Sequence, residues 1–313
     1  MANLPTNTTD ISRYLLAKFQ RYYAPNWKAF PKEYAMWNTL VGSDTLVGYY
    51  DTMGNLAEAA IMNDGADFDI GSVDQAYETS IESVQYGKGF GVTLKAMKAA
   101  ARKSDVIDKA KVYALAKSML VALEKLGIKP WDDAFTVNLS DGVPMCDNSH
   151  PCKDTVGVTN LTYDNLATGV FYGTGGYENV VSALDLFAGM KDHQGNPVPS
   201  VPDTFKTHAV NQLRVKALFE SMGAPFEESN TKNVLPNLKP VFSNYLTSKT
   251  AWFIEDTSPD RPHGIFQYLN SCPEPLNFVD RLPENAGYQA TSAYFAGSGA
   301  VPNVGVVGST GIA

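Results

Sequence analysis

The residues best equipped for chemistry lie in one stretch, Cys146-Asp147-Asn148-Ser149-His150-Pro151-Cys152. The spacing Cys-x3-His-x-Cys could offer two thiols and an imidazole to one metal ion, a ligand set suited to zinc. A structural zinc site needs a fourth ligand, and Cys272 is the only other cysteine in the chain. No second Cys-x-x-Cys or His-x3-His half-site accompanies it. Cys146, His150 and Cys152 therefore read as a hydrogen-bonded loop histidine beside two inert thiols, with a metal-dependent enzyme as the rival reading. A Cys/His nucleophilic pair would also need an orienting Asn or Asp and an oxyanion hole, which sequence does not place.

Other candidate chemistry is weaker. Asp64, Asp67, Asp69 and Asp74 invite a calcium-loop reading, but an EF-hand needs Gly at its sixth position and Glu at its twelfth. Counting from Asp64 puts Asp69 and Gln75 there, so the segment reads as a solvated loop. Tyr172-Gly-Thr-Gly-Gly-Tyr177 is glycine-rich, yet no Lys-Ser/Thr follows it, so it reads as a joint between helices rather than a phosphate loop. Gly297-Ser298-Gly299 falls in a polar tail, not in a nucleophile elbow. The four histidines are scattered, and no carboxylate pair stands out by spacing. We expect no catalytic site and no cofactor.

The elements around these residues are more telling. In Val84-Gln-Tyr-Gly-Lys-Gly-Phe-Gly-Val92, Tyr86, Lys88, Phe90 and Val92 share one face at period two, and Gly87, Gly89 and Gly91 share the other. A strand with one bare face lets another backbone approach closely, and it gains most if a second subunit covers it. Lys88 reads either as a snorkelling surface lysine or as the partner of an acid on a neighbouring copy, with Asp64, Asp67 or Asp69 as candidates. Residues 63 to 74 read as the tip of a long hairpin whose return arm is the glycine strand.

Upstream, aromatics crowd residues 1 to 55: Tyr22, Tyr23, Trp27, Phe30, Tyr34 and Trp37 among them. Pro25 and Pro31 should break a long helix, leaving an extended arm with a short helix over 11–22. So short an arm can hardly cover its own rings, and Trp27 and Trp37 join Tyr86, Lys88 and Phe90 as expected inter-subunit contacts. The front third is thus read as completed by sister copies, and the reading of the chain as a shell or assembly protein is made to hang on this: it collapses if those segments fold back onto their own molecule.

Downstream, Val112, Leu115, Ala116, Met119, Leu120, Leu123 and Leu126 recur at helical spacing, predicting a helix over 104–126 with Ser104 or Asp105 as N-cap and Gly127 as stop. Strand-like pieces follow at 134–139. A helical region is expected over 163–190, broken at its glycines, then a strand starting at Phe205 and a helix over 210–221. Two further strands, 241–246 and 250–255, are expected to pair around a turn. Residues 286 to 313 carry no charge, and the last ten read as a flexible tail.

Hydrophobic residues make up 44% of the 313-residue chain and charged residues 19%, a globular composition slightly poor in charge, as suits a surface hidden in self-contacts. A net charge of −8 opposes wrapping of nucleic acid by the chain as a whole. No apolar run is long enough to cross a bilayer, the start lacks the pattern of a secretory signal, and few cysteines suit a reducing compartment.

The order of these features resembles the major capsid proteins of tailed bacteriophages with the Hong Kong 97-type fold, and within that group the Mu-like major head subunit. Four stretches carry the likeness. Residues 77 to 98 resemble the return strand of the extended loop, and 104 to 126 the spine helix. Residues 194 to 221, with Gln-Gly-Asn-Pro-Val-Pro-Ser-Val-Pro-Asp-Thr-Phe, resemble the family's G-x-P-x-x-x-x-P-D turn and the helix after it. Residues 245 to 268 are similar to its Y-L-x-x-x-x-x-W-F-L strand and the P-x-x-F-Q segment downstream. His150-Pro151 matches a His-Pro position of the group, which gives His150 a structural role.

The resemblance implies an α+β subunit: an N-terminal arm (1–55), an extended loop (56–92), a peripheral domain (93–159) with spine helix 104–126, an axial domain (160–265), a return to the peripheral domain (266–303) and a flexible tail (304–313). It implies hexamers and pentamers closing into an icosahedral shell in the host cytoplasm and remaining in the virion. The shell would enclose double-stranded DNA without sequence-specific binding and without a membrane. Portal, scaffolding and decoration proteins are the implied partners. The chain has no long scaffolding-like leader, so scaffolding would be separate or removed, and nothing marks a covalent cross-linking pair. A non-viral encapsulating compartment of the same fold is the alternative.

Overall fold

The computed structural model describes residues 8–53, 70, 75–93, 108–152, 161–192, 195–223, 232–282 and 287–312. The first helix, α1 (Thr8–Ala29), runs without a break through Pro25. Its buried stripe is Leu15, Phe19, Tyr23 and Trp27, one residue every four, which sets a continuous apolar edge along one side. That edge packs against α3 (Lys109–Asp132) and the first sheet. Packing of these rings outweighs the one backbone hydrogen bond that Pro25 removes. Between the two helices in sequence lies α2 (Tyr34–Trp37), a single turn whose Tyr34 ring stacks on Phe266 at 4.3 Å between centroids.

The first sheet is built on one long strand, β12 (Gly287–Ala300). β4 (Val84–Val92) pairs antiparallel with it from Tyr288 to Ala296. β10 (Gly264–Leu269) and β11 (Leu276–Leu282) pair antiparallel with successive stretches of β12, and β1 (Thr39–Ser43) runs parallel to β10. Ala290, Tyr294 and Ala296 alternate toward α1 and α3, closing the first core. β2 (Val47–Met53) and β3 (Gln75–Glu82) form a separate antiparallel ribbon, and β3 leads through Ser83 into β4.

The second sheet holds β7 (Thr204–His208), β8 (Lys239–Ser243), β9 (Trp252–Glu255) and β13 (Val306–Ser309), in the order β13-β9-β7-β8. Helices α4 (Gly176–Ala188) and α5 (Gln212–Glu220) contribute to the core on one face. Trp37, Ile128, Trp131 and Phe253 belong to the core on the other. Helix α3 therefore serves both sheets: Met119 and Leu123 sit in the first core, Ile128 and Trp131 in the core beside the second. A two-residue pairing of β5 (His150–Pro151) with β6 (Thr162–Tyr163) completes the architecture.

Several expectations are corrected by these elements. The segment over 8–37 is no extended arm; it is helical and folds onto its own molecule. Trp27 and Trp37 are 3% and 1% exposed within one chain, so they have no surface left for a neighbour. The described part of α3 starts with Asp108 as N-cap, its carboxylate accepting from the Ala110 N–H, while Ser104 and Asp105 lie outside the described residues. Gly127 does not stop the helix, which continues through Pro130 to Asp132. Strands β8 and β9 do not pair with each other; both pair with β7, β8 parallel and β9 antiparallel. The region over 163–190 is helical only over Gly176–Ala188, and 134–139 is not a strand: it turns at 134–136 and makes one isolated bridge, Asn138 to Pro144.

The tail is the largest correction. Val306, Val307 and Ser309 are fully buried in β13, paired with β9. Absence of charge near the C-terminus marks burial here, not freedom. Gly297-Ser298-Gly299 likewise lies within β12, where a Cβ on Gly297 or Gly299 would collide with Glu82 or Ile81 of the crossing ribbon.

Candidate functional site

The ribbon and the sheet it feeds are the elements best placed to meet another molecule. The foot of the ribbon is pinned by Gln267, which is fully buried. Its Oε1 accepts from the Tyr50 hydroxyl at 2.8 Å, and its Nε2 donates to Ser83 Oγ at 2.8 Å and to the Leu46 carbonyl at 3.3 Å. The Ser83 N–H donates to the same carbonyl at 2.7 Å. A buried amide with its polar atoms occupied fixes the ribbon's exit direction. Beyond the foot, Tyr49 is 65% exposed, and Leu46 and Val84 are also exposed.

The glycine strand alternates as expected, but Tyr86 and Phe90, expected as contacts with a neighbouring copy, are engaged within their own chain. Tyr86 and Phe90 turn inward and pack on the first core, Phe90 lying 6.4 Å from Phe19 between ring centroids. Gly87, Gly89 and Gly91 lie on the opposite, exposed face. Cross-strand partners share a face, so Leu276, Ala293 and Gly87 form one row and Phe278, Thr291 and Gly89 the next. Leu276 and Phe278 are 36% and 46% exposed there, an apolar strip with no side chains on its glycine side. Gly87 is open, a Cβ meeting only the Ser292 carbonyl at 3.8 Å, whereas a Cβ on Gly89 would lie 2.6 Å from Thr291 Cγ2 and 2.9 Å from the Ala290 carbonyl. Lys88 is exposed and stands on the helix side, opposite Ser292, whose Oγ donates to Tyr23 at 2.9 Å. Asp64, Asp67, Asp69 and Asp74 lie outside the described residues.

The cysteine loop is held by packing. Cys146 is buried in the core formed by Trp37, Trp131 and Phe253, where Gly308 lacks a side chain and so leaves room for its thiol beside Phe253. His150 is buried, its Nδ1 2.9 Å from Asp141 Oδ2 and its ring stacked 5.0 Å from that of Tyr163. Burial pushes the thiols of Cys146 and Cys152 up, the opposite of what a thiolate ligand or nucleophile requires. Among the described residues, no three His, Cys, Asp or Glu side chains converge as a metal site would need. The glycine-rich stretch over 172–177 opens α4, with Gly175 at φ +79° as N-cap. Its neighbour Tyr172 is covered by the Arg214 guanidinium at 3.9 Å.

Sequence reasoning missed a buried charge cluster joining the two sheets. Lys206 of β7 pairs with Glu255 of β9 and donates to the Trp37 carbonyl at 2.9 Å, ahead of β1. Its ammonium also sits 3.9 Å from the Trp131 ring centre. The Nδ1 of His263, just before β10, lies 3.1 Å from Glu255 Oε1. Burial would raise the Glu255 carboxyl, but Lys206 and His263 together hold it below its ordinary value. A lone lysine in a strand reads as surface, and nothing local signals that Trp37 and Trp131 cover it.

Among the described residues, no helix is long and apolar enough to cross a membrane. No sequence family and no curated protein matches the chain. Solved structures do. The capsid of a native GTA particle is similar over 91% of this chain and 92% of its own, with a TM-score of 0.55 at 7% identity. The procapsid of bacteriophage JBD30 covers 96% of this chain and 75% of its own, with a TM-score of 0.51 at 12% identity. The SrpI encapsulin complex from Synechococcus elongatus covers 93% and 89%, with a TM-score of 0.51 at 8% identity. The α+β architecture is therefore one shared with these capsid and encapsulin structures. More specifically, the chain has the Hong Kong 97-type capsid fold over about nine-tenths of its length.

Proposed function

We propose that this chain is the major capsid subunit of a tailed phage, and that it assembles through hexamers and pentamers into an icosahedral shell around double-stranded DNA. The observation that carries this reading is the fold itself, similar over about nine-tenths of the chain to capsid structures. The N-terminal segment lends it no support, because that segment is satisfied within one molecule. The exposed ribbon and the glycine-lined apolar strip are the surfaces we assign to sister contacts, with Tyr49, Gly87, Leu276 and Phe278 at their centre. Half-exposed apolar strands of this kind gain about 25 cal/mol per Å² when covered, and a closed shell repeats each contact many times. The Mu-like head subunit is the group we favour, on the order of its motifs. Lys88 remains a candidate partner for Asp64, Asp67 or Asp69 of a neighbour. Portal and scaffolding or decoration proteins are the further partners of such a particle, which forms in the host cytoplasm. In this reading the Cys146 thiol and the His150 imidazole serve packing rather than catalysis.

A second reading is a non-viral compartment, favoured by the likeness to the encapsulin. Electron microscopy of the expressed chain tests both. Closed shells are expected, and a 34.0 kDa monomer under every condition overturns the reading. Shells found in their native source with a protein cargo in place of nucleic acid would assign the compartment.

A further inference from the structure

Charge is segregated within this acidic chain. Helices α1 and α3 together carry 9 Lys and Arg against 3 Asp and Glu, whereas the rest of the chain carries 16 against 30. The two helices lie side by side on one face of the first sheet. Helix α1 bears Arg13, Lys18, Arg21 and Lys28; helix α3 bears Lys109, Lys111, Lys117, Lys125 and Lys129. The carboxylates facing this layer are few and mostly engaged. Glu124 is buried and accepts from the backbone N–H groups of Glu33 and Tyr34, Glu33 binds Ser243 and Asn244, Glu274 pairs with Lys28, and Asp133 pairs with Lys129. Among the described residues, Lys111, Lys117 and Lys125 form no ion pair, and all three are exposed.

The seam between the helices is organised. Lys18 of α1 and Lys109 of α3 reach the same ring, Tyr22, from 5.9 and 6.0 Å. Cation–π contact holds two ammonium groups over the joint, where their mutual repulsion would otherwise part them. Strand alternation adds to the same side: Arg281 stands opposite Tyr288, a helix-facing position. The reverse face of the sheet has Asp280 at the end of its apolar strip, and the ribbon carries Asp51, Glu78 and Glu82.

We infer that the α1–α3 face is the inner wall of the shell and binds the phosphate backbone of the enclosed duplex. This rests on the shell reading above and adds to it which side of the subunit faces inward. A helical face set with lysines, without a groove-reading element, neutralises phosphates and is indifferent to base sequence. The whole-chain charge of −8 conceals this because the acids lie elsewhere.

The test uses the full chain, a mixed-sequence linear duplex and two variants. One is the charge reversal K111E/K117E/K125E; the other is a control reversal, K232E/K239E/K249E, on exposed lysines outside the two helices. Free subunits should bind the duplex with an affinity that falls steeply with salt. The helix reversal should lower the salt slope by about 2 to 3, at about 0.9 for each phosphate no longer neutralised, and the control should leave it unchanged. Closed wild-type shells should not bind added duplex, because the face is enclosed. The inference is overturned by free subunits that ignore the duplex, by a control as damaging as the helix reversal, or by closed shells that bind as free subunits do. It is also overturned if the helix reversal leaves folded subunits that cannot assemble yet bind the duplex normally, which would make the face a contact between sisters. Weakened binding to phosphatidylserine vesicles with unchanged duplex binding overturns it too. If the wild-type chain forms no shells at all, the shell reading fails while the subunit–duplex measurement still stands or falls separately.

Discussion

Tyr34 occupies the space that a side chain at Gly127 would need: a Cβ placed on Gly127 would overlap the Tyr34 Cβ and come 3.3 Å from the Phe266 ring. The glycine lets α2 lie directly on α3, where Glu124 caps it by accepting from the N–H groups of Glu33 and Tyr34 at 2.8 and 2.7 Å. Gly127→Ala should therefore destabilise the subunit. Alanine favours an isolated helix by about 1 kcal/mol, but overpacking against α2 costs about 1–3 kcal/mol and the core around Phe266 has little room to relax. Thermal melting by circular dichroism should show a lower Tm. A higher Tm would mean that α2 moves away without loss.

What was legible in the sequence follows from where each signal resides. The spacing of Val112, Leu115, Met119 and Leu123 announces α3 because the period is a property of the helix alone. The alternation of Tyr86 and Phe90 with Gly87 and Gly89 announces β4 in the same way. The need to cover Trp27 was visible, but the cover comes from Tyr294, distant in sequence and 6.2 Å from it between ring centroids. Sequence states that a ring needs a partner and is silent on whether the partner is in the same chain. The Val306-Val307 strand was misread for the related reason that missing charge accompanies both burial and disorder.

The burial of Trp27 is itself open to test. Were the ring reserved for a sister subunit, Trp27→Ala would leave the monomer intact and impair assembly. Its position beside Tyr23 and Tyr294 instead predicts a loss of about 3–5 kcal/mol of subunit stability. Denaturant unfolding of unassembled subunits should show it. An unchanged midpoint together with failed assembly would restore the arm.

Two glycines on one strand should part company. Gly87→Val places its side chain on the open face and should leave melting of the free subunit within about 0.5 kcal/mol of wild type, since surface substitutions rarely exceed that. If the strip is a sister contact, shells should nonetheless fail to form. Gly89→Val meets Thr291 and the Ala290 carbonyl within its own sheet and should reduce soluble, folded subunit. Size-exclusion chromatography with electron microscopy reads both. Normal shells from Gly87→Val would remove the strip from the interface.

The Lys206–Glu255 pair makes a prediction about coupling. Removing Lys206 alone leaves Glu255 buried with only His263 nearby, so Lys206→Met should cost about 3–5 kcal/mol. Replacing both charges, as in K206M/E255Q, should recover part of that loss, because no unpaired carboxylate then remains. The sum of the single effects exceeding the double by about 1 kcal/mol or more would demonstrate the coupling. Strict additivity would mean that the two side chains act independently despite their contact.

Glu124 gives a pH dependence whose sign is fixed by its surroundings. Burial pushes its carboxyl from 4.5 up to about 7, although the Tyr34 and Glu33 N–H groups, with Lys32 nearby, pull the other way. Between those two pH values the folded subunit holds a proton that the unfolded chain has released. Stability from this group is therefore greatest below pH 4.5 and declines as pH rises through about 7. The variant Glu124→Gln has no proton to lose there. It should be less stable at low pH, since one side-chain oxygen cannot serve both N–H groups in the same way, yet its Tm should fall less than that of wild type between about pH 5 and about pH 8. Other titrating groups are common to both proteins, so the difference between the two slopes isolates this residue. Parallel Tm profiles would show that the carboxylate remains charged in the fold, with its two backbone donors compensating its burial.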